Sequence, residues 1–145
     1  MKILAIEIIG NSAGMLSING DKSNFDVVNL GKSLSVPTES DSIKDVLEFQ
    51  TNFSMYLQNQ KTDMVVMCEG GNESGKKRVR MEFAILSECE KQCIKYETYP
   101  TSSCTNLINN KYEKDTGRKF SDDLGKFKLP KYMSKTLVAG WRFIK

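Results

Sequence analysis

The period of hydrophobic positions changes repeatedly along the chain, and each change predicts an element. Lys2 to Ile9 reads KILAIEII, apolar at nearly every position, which is the pattern of a central strand covered on both faces. Gly10-Asn11-Ser12 predicts a turn and Ala13 to Ile18 a returning strand. Asn19-Gly20 then signals the tight hairpin into a third strand from Phe25 to Leu30. Ser33 to Asp41, with Pro37 and several hydroxyl side chains, reads as a loop.

From Ser42 the spacing becomes helical. Ile43, Val46, Leu47, Phe53 and Leu57 recur on one stripe, with Ser42 as N-cap and Asp45 as its partner, so a helix is expected to about Gln60. Asp63 to Glu69 is a short buried strand, followed by a Gly-rich basic loop from Gly70 to about Lys77. A second helix carries Val79, Phe83, Ala84, Leu86 and Cys93. Ile94 to Tyr99 alternates like a fifth strand and ends at Pro100. Thr101 or Ser102 can cap a helix to about Asn110. Lys111 to Met133 reads as irregular, and Ser134 to Ile144 as a last amphipathic helix built on Leu137, Val138, Trp141 and Ile144. The predicted class is α/β: a mixed five-stranded sheet, three antiparallel strands and then βαβ units, with helices on both faces, in a single domain over 1–145.

Composition narrows the chemistry. No residue is histidine, which removes His-based hydrolase triads, His-ligated zinc and imidazole proton shuttles, and leaves carboxylates, cysteines, lysines or a hard metal ion. Cys68, Cys89, Cys93 and Cys104 come without a secretory leader and read as reduced thiols of a cytoplasmic protein. Cys89 and Cys93, four apart, could share a soft metal or simply fill core space. The longest apolar runs are too short for a membrane span, so no membrane partner is expected. The net charge of +3 hides a split: 5 basic and 9 acidic residues up to Asn72, then 16 and 9, so −4 is followed by +7. A basic second half suits a polyanion, or a solvated lysine-rich surface.

Glu7 lies inside the first apolar strand, with Ile3, Ala5 and Ile9 on its face. A carboxylate there must be paired, hydrogen-bonded or bound to a cation, since isolated burial costs several kcal/mol. Glu69 repeats the pattern at the end of another buried strand, just before Gly70-Gly71. If the two strands run parallel and adjacent, both carboxylates can meet at the carboxyl end of the sheet, where open α/β sheets place their sites. Oxygen ligands without His or paired Cys select Mg²⁺ or Mn²⁺.

Through Lys2-Ile3-Leu4-Ala5-Ile6-Glu7, the hairpin after it and Val65-Val66-Met67-Cys68-Glu69-Gly70, the chain resembles the RNase H-like superfamily. The likeness is to small RuvC-like Holliday-junction-resolvase relatives and an uncharacterised bacterial family of short domains with that fold. It implies an RNase H-like sheet and a divalent-metal-dependent nuclease acting on structured nucleic acid. In that superfamily an acid on the first strand, an acid ending the fourth and one from the last helix hold two metal ions. Glu7 and Glu69 match the first two positions, as catalytic residues and metal ligands. The first is Glu where the superfamily has Asp, and Ser134 to Lys145 contains no acid. The third ligand would therefore come from Asp122 or Asp123, or the site is degenerate and the domain is a non-catalytic nucleic-acid-binding or protein-binding module, with a homodimer as a further option.

Two segments bear on nucleic acid. Gly70 to Lys76 satisfies G-x-x-x-x-G-K between a strand and a helix, which suggests nucleotide binding, although Lys77 stands where a phosphate-binding loop has Ser or Thr. Alternatively Lys76, Lys77, Arg78 and Arg80 hold nucleic-acid phosphates at a helix N-terminus, or the loop is a plain surface turn. Between Tyr112 and Tyr132, cations that include Arg118, Lys119 and Lys131 interleave with aromatics. They can grip a strand by stacking and charge, or anchor a solvated loop to the core.

Overall fold

A computed structural model describes residues 1–37, 42–71 and 74–145. Its strands are β1 (Lys2–Ile9), β2 (Ser12–Gly20), β3 (Phe25–Ser35), β4 (Met64–Glu69) and β5 (Lys95–Pro100). Its helices are α1 (Ile43–Gln60), α2 (Lys76–Lys91), α3 (Asn106–Thr116), α4 (Phe120–Lys126) and α5 (Ser134–Phe143), with short 3-10 turns at Thr101–Ser103 and Lys131–Met133. The sheet order is β3-β2-β1-β4-β5. β1, β2 and β3 pair antiparallel, while β4 lies parallel to β1 and β5 parallel to β4. This is the mixed five-stranded α/β sheet that the hydrophobic pattern predicts.

β1 occupies the centre because both of its faces are covered. Ile3 and Ala5 join Val66 and Cys68 beneath Leu137 and Trp141 of α5, with Tyr112 and Phe127 completing that layer. Leu4, Ile6 and Ile8 join Val65 and Met67 beneath Phe49, Phe53 and Leu57 of α1 and Met81 and Ile85 of α2. Burying each such side chain contributes about 1.5–3 kcal/mol. α5 approaches the sheet closely at Gly140, where a Cβ would stand 2.8 Å from the Cβ of Ala5. That contact fixes the height of the helix over β1, and with it the position of Thr136 one turn earlier.

The structure departs from the sequence reading in several places. β3 continues to Ser35, past the expected loop start at Ser33, by passing Gly31 at a φ of 72° where its pairing with β2 shifts register. Residues 38–41 of that loop lie outside the described residues. Thr101 to Ser103 form a 3-10 turn, so α3 starts later than expected and runs on to Gly117, whose φ of 69° ends it. The stretch read as irregular contains the end of α3 and all of α4. On α2, Val79 and Phe83 are 53% and 73% exposed, while the buried stripe is Met81, Glu82, Ala84, Ile85, Glu88 and Cys89. Two buried glutamates on that stripe disguise its phase. Cys93 lies past the end of α2, exposed and at a φ of 54°, so it shares no helical face with buried Cys89, and of this pair only Cys89 fills core space. Among the described residues, no helix is long and apolar enough to cross a membrane.

Candidate functional site

Alternation along β1 puts Glu7 on the α5 face, beyond Ala5, where the sheet begins to open. The residue is 7% exposed. Thr136 of α5 is fully buried, and its Oγ1 donates to Glu7 Oε2 at 3.1 Å. The other carboxylate oxygen faces Arg78, whose Nη2 stands 3.9 Å from Oε1, an ion pair too long for a hydrogen bond.

Arg78 comes from the first turn of α2 and crosses the carboxyl end of β4. Its Nη2 donates to the Cys68 carbonyl at 3.3 Å, and its Nε pairs with Glu82 Oε2 at 3.4 Å, one helical turn on. The same Glu82 oxygen accepts the Gly70 amide at 2.9 Å. Gly70 makes room for this: a Cβ there would lie 2.5 Å from Arg78 Nε and 2.9 Å from Cζ. The guanidinium therefore joins a carboxylate on the α5 face of the sheet to one on α2.

Burial is the largest influence on Glu7 and pushes its carboxyl above the usual value of 4.5, and the nearby charge of Glu82 acts in the same direction. The Thr136 hydrogen bond, Arg78 and Lys135 oppose the shift without cancelling it. Beside Glu7 the surface forms a groove of about 450 Å³, lined by Arg78, Lys131, Tyr132 and Lys135 among others. Tyr132 is 44% exposed, and Lys32 of β3 sits 4.2 Å from its ring centroid. One buried acid is thus rimmed by cations and an accessible ring.

The other expected ligands lie elsewhere. Glu7 pairs in register with Cys68, so Glu69 is one step further along β4 and on the opposite face. Glu69 is exposed and lines a groove with Val79, Phe83 and Leu86 on the α2 side. The parallel neighbours expected from the sequence are present, but they do not bring Glu7 and Glu69 onto one face. Asp122 is exposed on α4. Asp123 is 1% exposed, accepts a short hydrogen bond from the Tyr112 hydroxyl, and takes the Arg118 Nε at 3.0 Å. Arg118 Nη1 in turn donates to the Ser23 carbonyl at 3.1 Å. Ser23 belongs to the β2–β3 turn, beside the Lys2 end of β1, so Asp123 sits at the far end of the sheet from Glu7.

The expected phosphate contacts divide in the same way. Arg78 lies in the site, Lys76 and Lys77 precede it on α2, and Lys77 Nζ reaches the Pro37 carbonyl at 3.1 Å. Arg80 follows, half-buried. Arg118 is engaged by Asp123 and Ser23, and exposed Lys119 stands beside it at the start of α4. Asn72 and Glu73 of the G-x-x-x-x-G-K stretch lie outside the described residues. Tyr112, Phe120 and Phe127 pack into the core, as loop anchors would, and only Tyr132 of that series is exposed. Sequence reasoning missed Glu82, Thr136 and Lys135. Glu82 did leave a signal, an acid in phase with Ile85 and Cys89 and four residues after Arg78.

A pair of divalent ions, which the RNase H-like resemblance implies, needs several oxygen ligands converging on one point. Glu7 already accepts from Thr136 and faces a guanidinium, its register partner is a thiol, and α5 supplies no acid. Among the described residues, no group of three or more acidic or cysteine side chains is arranged to hold a metal ion. The donor set of the described residues does not fit the implied metals.

Solved structures share this architecture. RuvC of Thermus thermophilus superposes with a TM-score of 0.67 at 13% identity, covering 97% of this chain and 92% of that one. The same enzyme in complex with a Holliday junction substrate gives 0.70 at 10% identity, covering 97% and 91%. The fowlpox virus resolvase with substrate Holliday junction DNA gives 0.57 at 15% identity, covering 99% and 96%. At these identities the likeness establishes the fold, which is that of the RuvC-like resolvases. No curated protein matches the chain in sequence. Residues 1–123 match the model of a family described as a protein of unknown function, DUF3010, and the chain belongs to that family.

Proposed function

We propose that this chain is a RuvC-like nucleic-acid-binding domain that grips the sugar–phosphate backbone of branched duplex DNA at the carboxyl end of its sheet and does not cut it. The observation that carries this reading is the groove beside Glu7, where Arg78, Lys131 and Lys135 surround an exposed tyrosine backed by Lys32. Cations lining one groove can neutralise phosphates, and the ring offers a stacking surface for an unpaired base at a branch point. The junction DNA in the complexes of RuvC and the fowlpox resolvase makes a four-way junction the first ligand to try.

Binding to four-way junction, duplex and single-stranded DNA, followed by fluorescence anisotropy, tests the reading. The expected result is preference for the junction, a steep loss of affinity with salt, and retention of binding in Glu7→Gln. With Mg²⁺ or Mn²⁺ the strands are expected to stay intact. A metal-dependent nuclease is the second reading, favoured by Glu7 at the carboxyl end of β1 in a resolvase fold. Cleavage that requires Mg²⁺ or Mn²⁺ and disappears in Glu7→Gln and in Glu69→Gln would put that reading in place of the first.

A further inference from the structure

We propose that the Arg78 guanidinium is a built-in cation: it satisfies the buried carboxylates at the carboxyl end of the sheet in place of a divalent metal, so the site is assembled and binds phosphate without one. Glu7 and Glu82 each have a side chain only 10% exposed, and among the described residues the charged group that pairs with both is Arg78. Two buried acids without a cation would each carry a large desolvation penalty. A guanidinium suits the position because its charge is delocalised and weakly hydrated, and its planar fork can serve several acceptors at once. Here those acceptors are the Glu82 carboxylate and the Cys68 carbonyl, with Glu7 just beyond hydrogen-bond range.

The surroundings are shaped for that group. Gly70 supplies the space that any side chain would fill, and its amide holds Glu82 in place against Arg78. Thr136 takes one oxygen of Glu7, leaving the other directed at the guanidinium. A hard divalent ion would have to expel Arg78 and, among the described residues, would then find the Glu7 and Glu82 carboxylates and the Cys68 carbonyl, half of an octahedral shell. With its side chain 24% exposed at the edge of the groove, Arg78 keeps a face open to a phosphate oxygen.

The test begins without nucleic acid, so its failure and that of the binding reading are distinguishable. Wild-type protein is titrated with Mn²⁺ and followed by the paramagnetic resonance of free Mn²⁺, and its melting temperature is read in EDTA and in millimolar Mn²⁺. No stoichiometric binding and equal melting temperatures are expected. Arg78→Met is expected to melt several degrees lower in EDTA, with Mn²⁺ restoring part of the loss, whereas Arg78→Lys, which keeps the charge, loses less. Junction binding by the wild type is expected to be the same in EDTA and in Mg²⁺. Stoichiometric Mn²⁺ binding by the wild type at submillimolar concentration would overturn the proposal. So would Arg78→Met that melts at the wild-type temperature in EDTA. Should Arg78→Met fail to fold, the wild-type titration alone decides.

Discussion

Each end of the sheet buries acid against arginine, Asp123 with Arg118 at one end and Glu7 and Glu82 about Arg78 at the other, yet they are built for different work. At the Lys2 end, Asp123 takes the Arg118 Nε at 3.0 Å and the Tyr112 hydroxyl as well, and Arg118 goes on to hold the β2–β3 turn through Ser23. The same guanidinium lies 5.2 Å from the Phe25 ring centroid. Every contact there ties one piece of the chain to another. At the carboxyl end, the Glu7–Arg78 pair is looser at 3.9 Å, burial raises the Glu7 carboxyl, and the groove beside it is rimmed by lysines. The tight pair is a clasp, and the loose pair leaves attraction over for a ligand. Distance and surroundings separate the two roles where residue type does not.

If that contrast is right, Asp123→Ala should have the largest effect on stability and the smallest on binding. It strands Arg118 and Tyr112, and chemical denaturation should show a loss of about 3 kcal/mol, the low end for a broken buried pair because Arg118 keeps some solvent access. Junction affinity of the folded variant should be unchanged. Gly70→Ala presses a methyl group into the Ser74 hydroxyl and the Arg78 guanidinium, and shifting these side chains should cost about 1 kcal/mol, the low end for overpacking, while also weakening junction binding. An effect on stability alone would mean that Arg78 belongs with the clasp.

Lys131→Ala combined with Lys135→Ala should leave the melting temperature nearly unchanged and reduce junction affinity about tenfold, or about 1.4 kcal/mol. The slope of log affinity against log salt should become shallower by about 2 if each lysine meets one phosphate. Equal loss from Arg118→Ala in the folded protein would break the comparison from the other side. The smallest effect belongs to Glu7→Gln. Because the folded state holds the Glu7 proton more tightly than the unfolded state, stability should fall as pH rises from the ordinary value of 4.5 through the raised one, then level off. Denaturation curves across that window should show the decline in the wild type and a flatter profile in Glu7→Gln.

Most of the fold was legible because β1 and β4 are apolar on both faces and Asn19-Gly20 marked the approach to a hairpin, although both residues pair within the β2–β3 ladder and the turn itself is Asp21 to Asn24, held by Asp21. α4 was not, since its seven residues include one glycine and several charges, and it is held by Phe120 and Leu124 against a core that local sequence does not reveal. At the site, Glu7 was legible as an acid in an apolar strand, and Arg78 as a cation near it. Their connection was not, because it runs through Glu82, Thr136 and Gly70, which tertiary packing of α2 and α5 brings to the end of β4. The position of Asp123 depends on an equally distant contact, Arg118 with Ser23, across 95 residues of chain.

The pairing of Glu7 with Cys68 also sets a parity rule for the neighbouring strand. On β4 only residues 64, 66 and 68 face α5, and they are Met, Val and Cys, all in the apolar layer. A second acid could join Glu7 from β4 only at an even position, so the shortest route from a binder towards a cutter would start by exchanging the thiol at Cys68 for a carboxylate, whatever happens at Glu69.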